Sequence, residues 1–395
     1  MYLLSLRVAA VTLVATSMVL PALADKGEIR VGQTLPYSGP LSGFGIIGKA
    51  QEAYFAKINA EGGINGKQVR LISLDDGYSP PKTVEHTRKL VEQDEVMLMF
   101  GSLGTATNNA VHRYLNAKKV PQLFVLSGAN KWADPKNFPW TMPGMAAYQS
   151  EGVVYAKHIL QTKPEAKIAI LAQNDDFGRD YVAGFKRALG DKAAKMIVSE
   201  TTYETSAPTI NSQLAQLKAS DANVLFGVVL GKFTSQMIKG IAEIGWKPDM
   251  TFVPTSASSI AFLEPAGLEN AIGLITSSSQ KDTRDVQWAN DPGVKGFKEF
   301  MSQHLPGADI NNSNYAAGYH YATLLEKLLR ACGDDVSRDN IMRQAMALKE
   351  VALPLLLPGI TVSTSSDDYL PFQQLRLQRF DGKSWVGFGD IQDDQ

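Results

Sequence analysis

Hydrophobic positions along the chain follow two alternating periods, that of a buried strand and that of an amphipathic helix. Residues 96–100 and 123–126 are apolar at every position, which is typical of strands covered on both faces. Between such runs, Ile47, Tyr54 and Ile58 fall on one helical face, and Lys49 and Glu52 fall elsewhere. Strands alternating with amphipathic helices predict a parallel sheet with helices on both sides.

The same alternation repeats after about residue 148, so the chain predicts two α/β units of similar size. The remainder after residue 271 is too short for a third unit and is expected to complete the first two. We therefore predict two doubly wound parallel-sheet lobes, 25–145 plus 275–356 and 146–274 plus 357–395, with several chain crossings between them. Ligands of such sheets bind beyond the carboxyl ends of the strands, so a cleft that a hinge can close is expected.

The first 24 residues have the pattern of a cleavable signal peptide. Arg7 is followed by an apolar stretch at 8–20 and by the cleavage motif Ala22-Leu23-Ala24. Cleavage there would leave 371 of the 395 residues and would direct the protein to the periplasm. The alternative is an uncleaved membrane anchor, although the apolar run is short for a span.

Composition disfavours several classes of function. The formal net charge is −1 and no long block of one sign occurs, so bulk electrostatic binding of nucleic acid is not expected. Cys332 is the single cysteine, which excludes an intramolecular disulfide and is interpreted as a small buried apolar residue.

Motifs of catalysis and metal binding do not stand out. The segment 39–43 has the wrong spacing for a nucleophile elbow, and the five histidines form no paired motif. The acidic doublets 75–76 and 175–176 follow predicted strands, and we interpret them as turn and helix-cap groups rather than acid/base pairs. The chain is thus predicted to be non-enzymatic, without a metal or cofactor.

Two strand-to-helix loops carry small and hydroxyl residues suited to an anion. In the first, Gly104 allows close backbone approach and Thr105 begins a helix, whose free N–H groups attract anions. The next loop offers Ser127 and Asn130 as a hydroxyl and an amide. A plain helix cap without any ligand is the simpler alternative.

Aromatic residues stand near both predicted sides of the cleft. Phe44 lies in the first flexible loop, and Phe177 follows the strand of the second unit. They could flank an apolar or aromatic ligand body, or they could serve ordinary packing.

Several motifs, in order along nearly the whole chain after residue 24, resemble the periplasmic ligand-binding proteins of branched-chain amino acid ABC transporters, the Leu/Ile/Val-binding type. The most specific is the run Asn59-Ala60-Glu61-Gly62-Gly63-Ile64-Asn65-Gly66; the others are 29–32, 38–43, 75–76, 101–105, 127–129 and 176–178. The resemblance implies a type I periplasmic fold with three crossovers, trap-like closure, and delivery of the ligand to a membrane permease driven by separate ATPase subunits. A monomer is expected.

The resemblance also implies a binding site. The ligand carboxylate would be held by backbone and hydroxyl groups of the two first-lobe loops, and aromatic residues would flank the ligand. These roles map onto Ser102, Gly104, Thr105, Ser127, Gly128 and Asn130, and onto Phe44 and Phe177.

One departure from the family pattern concerns the ligand. Amino-acid binders of the family hold the ligand ammonium with an acidic residue just after the strand at 251–253, but here 254–259 contains Ser256 and no carboxylate. A buried ammonium without a countercharge costs several kcal/mol. We therefore predict a carboxylate without an α-ammonium, an aromatic or short aliphatic acid, with Ser256 in the site. The aromatic version is favoured by Phe44, Phe177 and the nearby tryptophans.

The same sequence is compatible with another source of the countercharge and with other functions. The missing charge could come from Asp175, Asp176 or Asp282. A sensory protein for amides or amino acids, or a secreted hydrolase using a cleft aspartate, would show a similar pattern.

Overall fold

The computed structural model describes residues 27–393, and its strands form two sheets. The predicted signal peptide, 1–24, lies outside the described residues. Within 27–393, no helix combines the length and the apolar character that a membrane span requires. The α/β class and the two-lobed arrangement predicted from sequence are confirmed.

The first sheet has five parallel strands in the order β2-β1-β3-β4-β5. Their bounds are β1 Glu28–Leu35, β2 Gln68–Asp75, β3 Leu98–Phe100, β4 Gln122–Val125 and β5 Thr141–Pro143. The order reverses between β1 and β3, which makes the space beyond their carboxyl ends a topological switch point. The short edge strand β5, which ends in a proline, was not predicted.

The second sheet has seven strands in the order β12-β11-β10-β9-β8-β6-β7. Five are parallel and repeat the topology of the first sheet: β6 Ile168–Gln173, β7 Ile197–Tyr203, β8 Val224–Val228, β9 Met250–Phe252 and β10 Ile275–Ser278. The last two, β11 Leu375–Phe380 and β12 Trp385–Gln392, add an antiparallel hairpin at the edge. Every residue of β6 and β8 is buried, as a sheet covered on both faces requires.

Helices cover both sheets. The first group is α1 Gly45–Ala60, α2 Pro80–Glu92 and α3 Thr105–Ala117, and the second is α4 Tyr148–Thr162, α5 Asp176–Leu189, α6 Ala193–Met196, α7 Asn211–Lys218, α8 Lys232–Glu243 and α9 Ile260–Leu263. The last group is α10 Pro292–His304, α11 Ser313–Ala331 and α12 Arg338–Ala345.

The last helices return to the first lobe, because α11 packs against α1. A Cβ at Gly318 would lie 2.5 Å from the Ile47 carbonyl oxygen, so only glycine permits this approach. The Tyr54 hydroxyl donates to Glu326 Oε2 at 2.5 Å across the same contact. The chain therefore crosses between lobes three times, after β5, after β10 and after α12.

Strand β10 changes one predicted lobe boundary. The sequence division assigned residues from 275 onward to the first lobe, but Ile275–Ser278 pairs with β9 and β11 in the second sheet. Ile275 is buried there beside Phe252, so the second crossing lies after this strand. The remaining lobe boundaries stay predictions.

Candidate functional site: a cavity between the lobes

A cavity lies where the carboxyl ends of the strands of both sheets face each other. Its volume is about 170 Å³, close to the roughly 150 Å³ of an engineered cavity that accommodates benzene. Much of its wall is apolar, formed by Phe44, Ile47, Leu103, Leu126, Met145, Phe177 and Leu230. A small ligand with an apolar body fits such a wall.

Contacts between the lobes close the cavity. The Phe44 ring from the first-lobe loop lies 5.0 Å from that of Phe262. Lys131 Nζ lies 2.5 Å from Asp176 Oδ2 at the start of α5. A Cβ at Gly231, which precedes α8, would lie 2.3 Å from a methyl group of Leu41. The structure therefore represents the lobes in contact.

The start of α3 forms one polar part of the cavity wall. Gly104 precedes the helix with φ 104° and leaves its first N–H groups without a side-chain cap. A Cβ at this position would lie 2.3 Å from the Tyr78 ring, so glycine lets the phenol cover the helix end. Unpaired N–H groups and the helix dipole make this end suitable for an anion.

Hydrogen bonding orients the Thr105 hydroxyl. The Ser127 oxygen accepts from Trp132 Nε1 at 2.8 Å and from the Ala129 N–H at 3.3 Å, which occupies both of its lone pairs. Ser127 must then donate across its 2.8 Å contact with Thr105 Oγ1. Thr105 can then donate its own proton, either to the neighbouring Tyr148 phenol or into the cavity that it lines.

Two tyrosines add further donors beside this helix start. Burial raises the pKa of Tyr148 to about 12 and also raises the pKa of Tyr78. Both phenols are therefore protonated at neutral pH and line the cavity as potential hydrogen-bond donors.

The segment after β10 forms a second polar part of the wall. Asp282 and Arg284 are paired through Nε–Oδ1 at 3.0 Å and Nη2–Oδ2 at 2.7 Å. Their side chains are only 7% and 8% exposed. Arg284 Nη1 has no partner among the described residues, and the same is true of the buried hydroxyls of Ser256 and Ser259.

A buried carboxylate supports the wall from behind. Glu151, in the first turn of α4, accepts from the hydroxyls of Tyr155 at 2.5 Å and Tyr181 at 2.7 Å and from the Thr255 N–H at 2.6 Å. Burial raises the pKa of Glu151. This network fixes the start of the 255–259 turn, which contributes several serines to the cavity wall.

The predicted site residues separate into two groups. The cavity is lined by Phe44, Gly104, Thr105, Phe177 and Ser256. The others do not line it: Ser102, Ser127, Gly128 and Asn130.

Each of that second group has another contact. Ser102 Oγ accepts from the Thr34 N–H at 3.1 Å, Ser127 orients Thr105, and the Gly128 carbonyl accepts from the Tyr148 N–H at 2.7 Å. The exposed Asn130 donates its N–H to Asp180 Oδ2 at 3.0 Å. Ligand binding by any of the nine residues stays a prediction.

Sequence reasoning missed the tyrosines Tyr78 and Tyr148 and the donor function of Arg284. The available signals were weak. Tyr78 directly follows the acidic doublet and a glycine at the end of β2, and Arg284 lies two residues from Asp282 in a loop without periodicity.

The three aspartates proposed as countercharges are all engaged. Asp282 accepts from Arg284 and from the Trp385 N–H at 2.7 Å. Hydrogen bonds from Lys131 and Arg179 lower the pKa of Asp176, and Asp175 caps α5 through the Gly178 N–H at 3.2 Å. Of the described residues that line the cavity, Asp282 is the sole acidic one.

Comparison with known proteins places these observations in a family context. A family model described as periplasmic binding protein matches residues 28–384. The Leu/Ile/Val-binding protein homolog 2 of Brucella abortus (strain 2308) is 25% identical over 300 residues, which are 74% of this chain and 79% of that protein.

Two solved structures share the fold. One is a branched-chain amino acid ABC transporter protein from Thermus thermophilus with bound valine, with a TM-score of 0.81 and 17% identity over 93% of this chain and 96% of that one. The other is a solute-binding protein of an ABC transporter from Rhodopseudomonas palustris HaA2 in complex with p-hydroxybenzoic acid. Its TM-score is 0.78, with 19% identity over 93% and 98%.

Proposed function

The chain belongs to the periplasmic binding protein family, of the branched-chain amino acid ABC transporter type, and we propose that it captures a small carboxylate without an α-ammonium group and delivers it to a membrane permease. Members of this family bind solutes in the periplasm. On this proposal the protein carries out no chemical turnover, and binding is followed by closure and handover.

The absence of a free countercharge among the described residues of the cavity wall carries the proposal. Asp282 is the acidic residue of the described wall, and four hydrogen bonds from Arg284 and Trp385 occupy its oxygens. An ammonium placed in this cavity would lose its hydration without gaining a free carboxylate, at a cost of several kcal/mol.

Donors, in contrast, are plentiful at the start of α3. The first N–H groups of α3, the Thr105 hydroxyl and the protonated phenols of Tyr78 and Tyr148 lie together there, so a carboxylate can accept hydrogen bonds from several of them. Hydrogen bonds to a charged acceptor contribute about 1.5–3 kcal/mol each. The ligand carboxylate is therefore assigned to this part of the wall.

The apolar wall and the cavity volume support an aromatic or short branched body. The related fold from R. palustris holds p-hydroxybenzoic acid, and that from T. thermophilus holds valine. Both ligands are small carboxylates, and the lack of a free countercharge among the described wall residues favours the acid without an ammonium.

Closure would couple ligand capture to transport. A ligand that contacts both lobes stabilises the closed form by its extra affinity for that form. The permease would recognise the surface that the closed lobes share, and the ligand would be released into it on opening.

Calorimetric titration of the ligand-free protein tests the proposal. Benzoate-type acids or 4-methylpentanoate should bind, whereas leucine and valine should bind at least about tenfold more weakly. Tight binding of leucine or valine without binding of any acid would refute the ligand class. Binding of neither group would refute capture of a small carboxylate.

Thr105→Val, with Thr105→Ser as its matched control, tests the carboxylate position. Valine removes the hydroxyl donor and should weaken acid binding about tenfold or more, since the lost bond is to a charged group. Serine keeps the hydroxyl and should bind like the wild type. Equal affinity of the valine variant would place the carboxylate elsewhere.

A further inference from the structure

Arg284 is held in a fixed orientation in the cavity wall. Both Nε and Nη2 bond to Asp282, and the Asp282 Oδ1 atom also accepts the Arg284 N–H at 3.0 Å. Asp282 is in turn held by the Trp385 N–H of β12. The guanidinium cannot rotate without breaking this set of bonds, so its remaining nitrogen occupies a defined place.

That remaining nitrogen, Arg284 Nη1, has no hydrogen-bond partner in the part of the chain that the structure describes. Arg284 Nη1 is buried, the side chain is 8% exposed, and none of the described residues accepts a hydrogen bond from it. The buried hydroxyls of Ser256 and Ser259 in the same cavity wall likewise have no partner within residues 27–393. Buried polar groups are normally paired, so three of them in one wall indicate that another molecule satisfies them.

We propose that Arg284, Ser256 and Ser259 form a second polar subsite that receives a neutral oxygen of the ligand, a hydroxyl or carbonyl group, at the end remote from its carboxylate. This inference rests on the proposed function, because it assigns the ligand carboxylate to the start of α3. It narrows the substrate class to hydroxy- or oxo-substituted acids.

A neutral oxygen fits this subsite better than a second carboxylate. Asp282 already balances the charge of Arg284, so a second anion would bring an uncompensated negative charge into a buried site. Lys281 does not supply the balance, because its Nζ bonds to Asp291 Oδ2 at 2.8 Å and to the Pro354 carbonyl at 3.1 Å. A neutral hydroxyl or carbonyl oxygen accepts a hydrogen bond from Nη1 without bringing a second negative charge into the site.

Matched ligand pairs measure the subsite directly. The probes are 4-hydroxybenzoate against benzoate, 4-oxopentanoate against pentanoate, and terephthalate as the dianion, each titrated into the wild-type protein by calorimetry. In at least one pair the oxygenated acid should bind about tenfold more tightly than its parent, as expected for a hydrogen bond to a charged donor. Terephthalate should bind more weakly than 4-hydroxybenzoate.

Two variants connect the preference to these residues. Arg284→Lys keeps a cation beside Asp282 but loses the planar guanidinium and its fixed Nη1 donor. Ser259→Ala removes one hydroxyl. Both should reduce the ratio of affinities between the oxygenated acid and its parent, because each change removes a donor that only the oxygenated acid uses. Thermal melts of both variants establish that they are folded.

The outcomes separate the subsite from the proposed function. If acids bind but oxygenation brings no advantage in either pair, or if terephthalate binds best, the subsite is refuted. If Arg284→Lys lowers the affinity for both acids of a pair by the same factor, Arg284 does not bind the distal oxygen. If no acid binds at all, the proposed function fails and the subsite fails with it.

Discussion

Replacement of Glu151 by alanine is the most direct test of how the cavity wall is supported. The Glu151 side chain is buried and accepts from three groups: the Tyr155 and Tyr181 hydroxyls and the Thr255 N–H. These donors belong to α4, to α5 and to the turn after β9. Alanine would therefore disconnect three elements of the second lobe at one point.

The expected loss can be worked out from the contacts. A buried polar group left without its partner costs about 1–3 kcal/mol. The Tyr155 hydroxyl keeps an alternative acceptor in the Val253 carbonyl at 3.0 Å, so two donors, those of Tyr181 and Thr255, lose the most. Together with the vacated volume, we expect Glu151→Ala to destabilise the second lobe by about 3–5 kcal/mol.

Glu151→Gln is the matched control, because it preserves shape and one acceptor oxygen. Burial raises the folded-state pKa of Glu151 above its usual value, so the folded state binds a proton more readily than the unfolded chain. That contribution to stability is complete below the unfolded pKa of about 4.5 and is lost as pH rises through the folded pKa. Glutamine should remove this pH dependence and cost less than alanine.

Urea unfolding followed by tryptophan fluorescence and circular dichroism measures both variants. The second-lobe transition should move to lower urea in Glu151→Ala, with the slope unchanged. A loss below about 1 kcal/mol for alanine would refute the network as a support of this lobe. A pH profile in Glu151→Gln identical to that of the wild type would refute the titration of Glu151.

Closure and acid stability provide two further predictions. Gly231→Ala places a Cβ against Leu41 across the lobe interface and should weaken ligand binding. Gly190→Ala has similar backbone strain (φ 56° against 58° at Gly231), but its Cβ would have no described atom within 4 Å, so it should leave ligand binding unchanged. Equal ligand affinity of the two variants in calorimetry would show that the contact between residue 231 and Leu41 does not affect closure. Burial lowers the pKa of His320 to about 3, so stability should fall as pH drops below about 6.5, by up to about 1.4 kcal/mol per unit. Urea titrations at pH 7 and 4.5 should show a larger drop in the wild type than in His320→Leu, which keeps a smaller one because burial also lowers the pKa of His112 and His158. An equal drop in both proteins would exclude a contribution from His320.

Local sequence pattern determined the elements of the fold. The apolar runs that became β3, β4 and β8 and the helical spacing of α1 and α3 were visible because periodicity is a property of neighbouring residues. Gly104 and Thr105 were placed at the cavity for the same reason, since a loop that leaves a parallel strand must emerge at its carboxyl end.

Tertiary structure alone decided which distant residues meet. Phe44 and Phe177 both line the cavity, but nothing in the sequence indicated that the Phe44 ring also packs on Phe262, more than two hundred residues away. Ligand binding by Ser127 stays a prediction, and only the tertiary structure shows that its hydroxyl contacts Trp132 and Thr105.

The orientation of the Arg284 side chain is the feature of the site that depends most strongly on tertiary structure. Its orientation requires Asp282 to be held by Trp385, about a hundred residues later in the antiparallel hairpin that joins the sheet edge. Sequence patterns record which face of an element is buried. They do not record which loops the sheet order and the three chain crossings bring together, and those loops form the site.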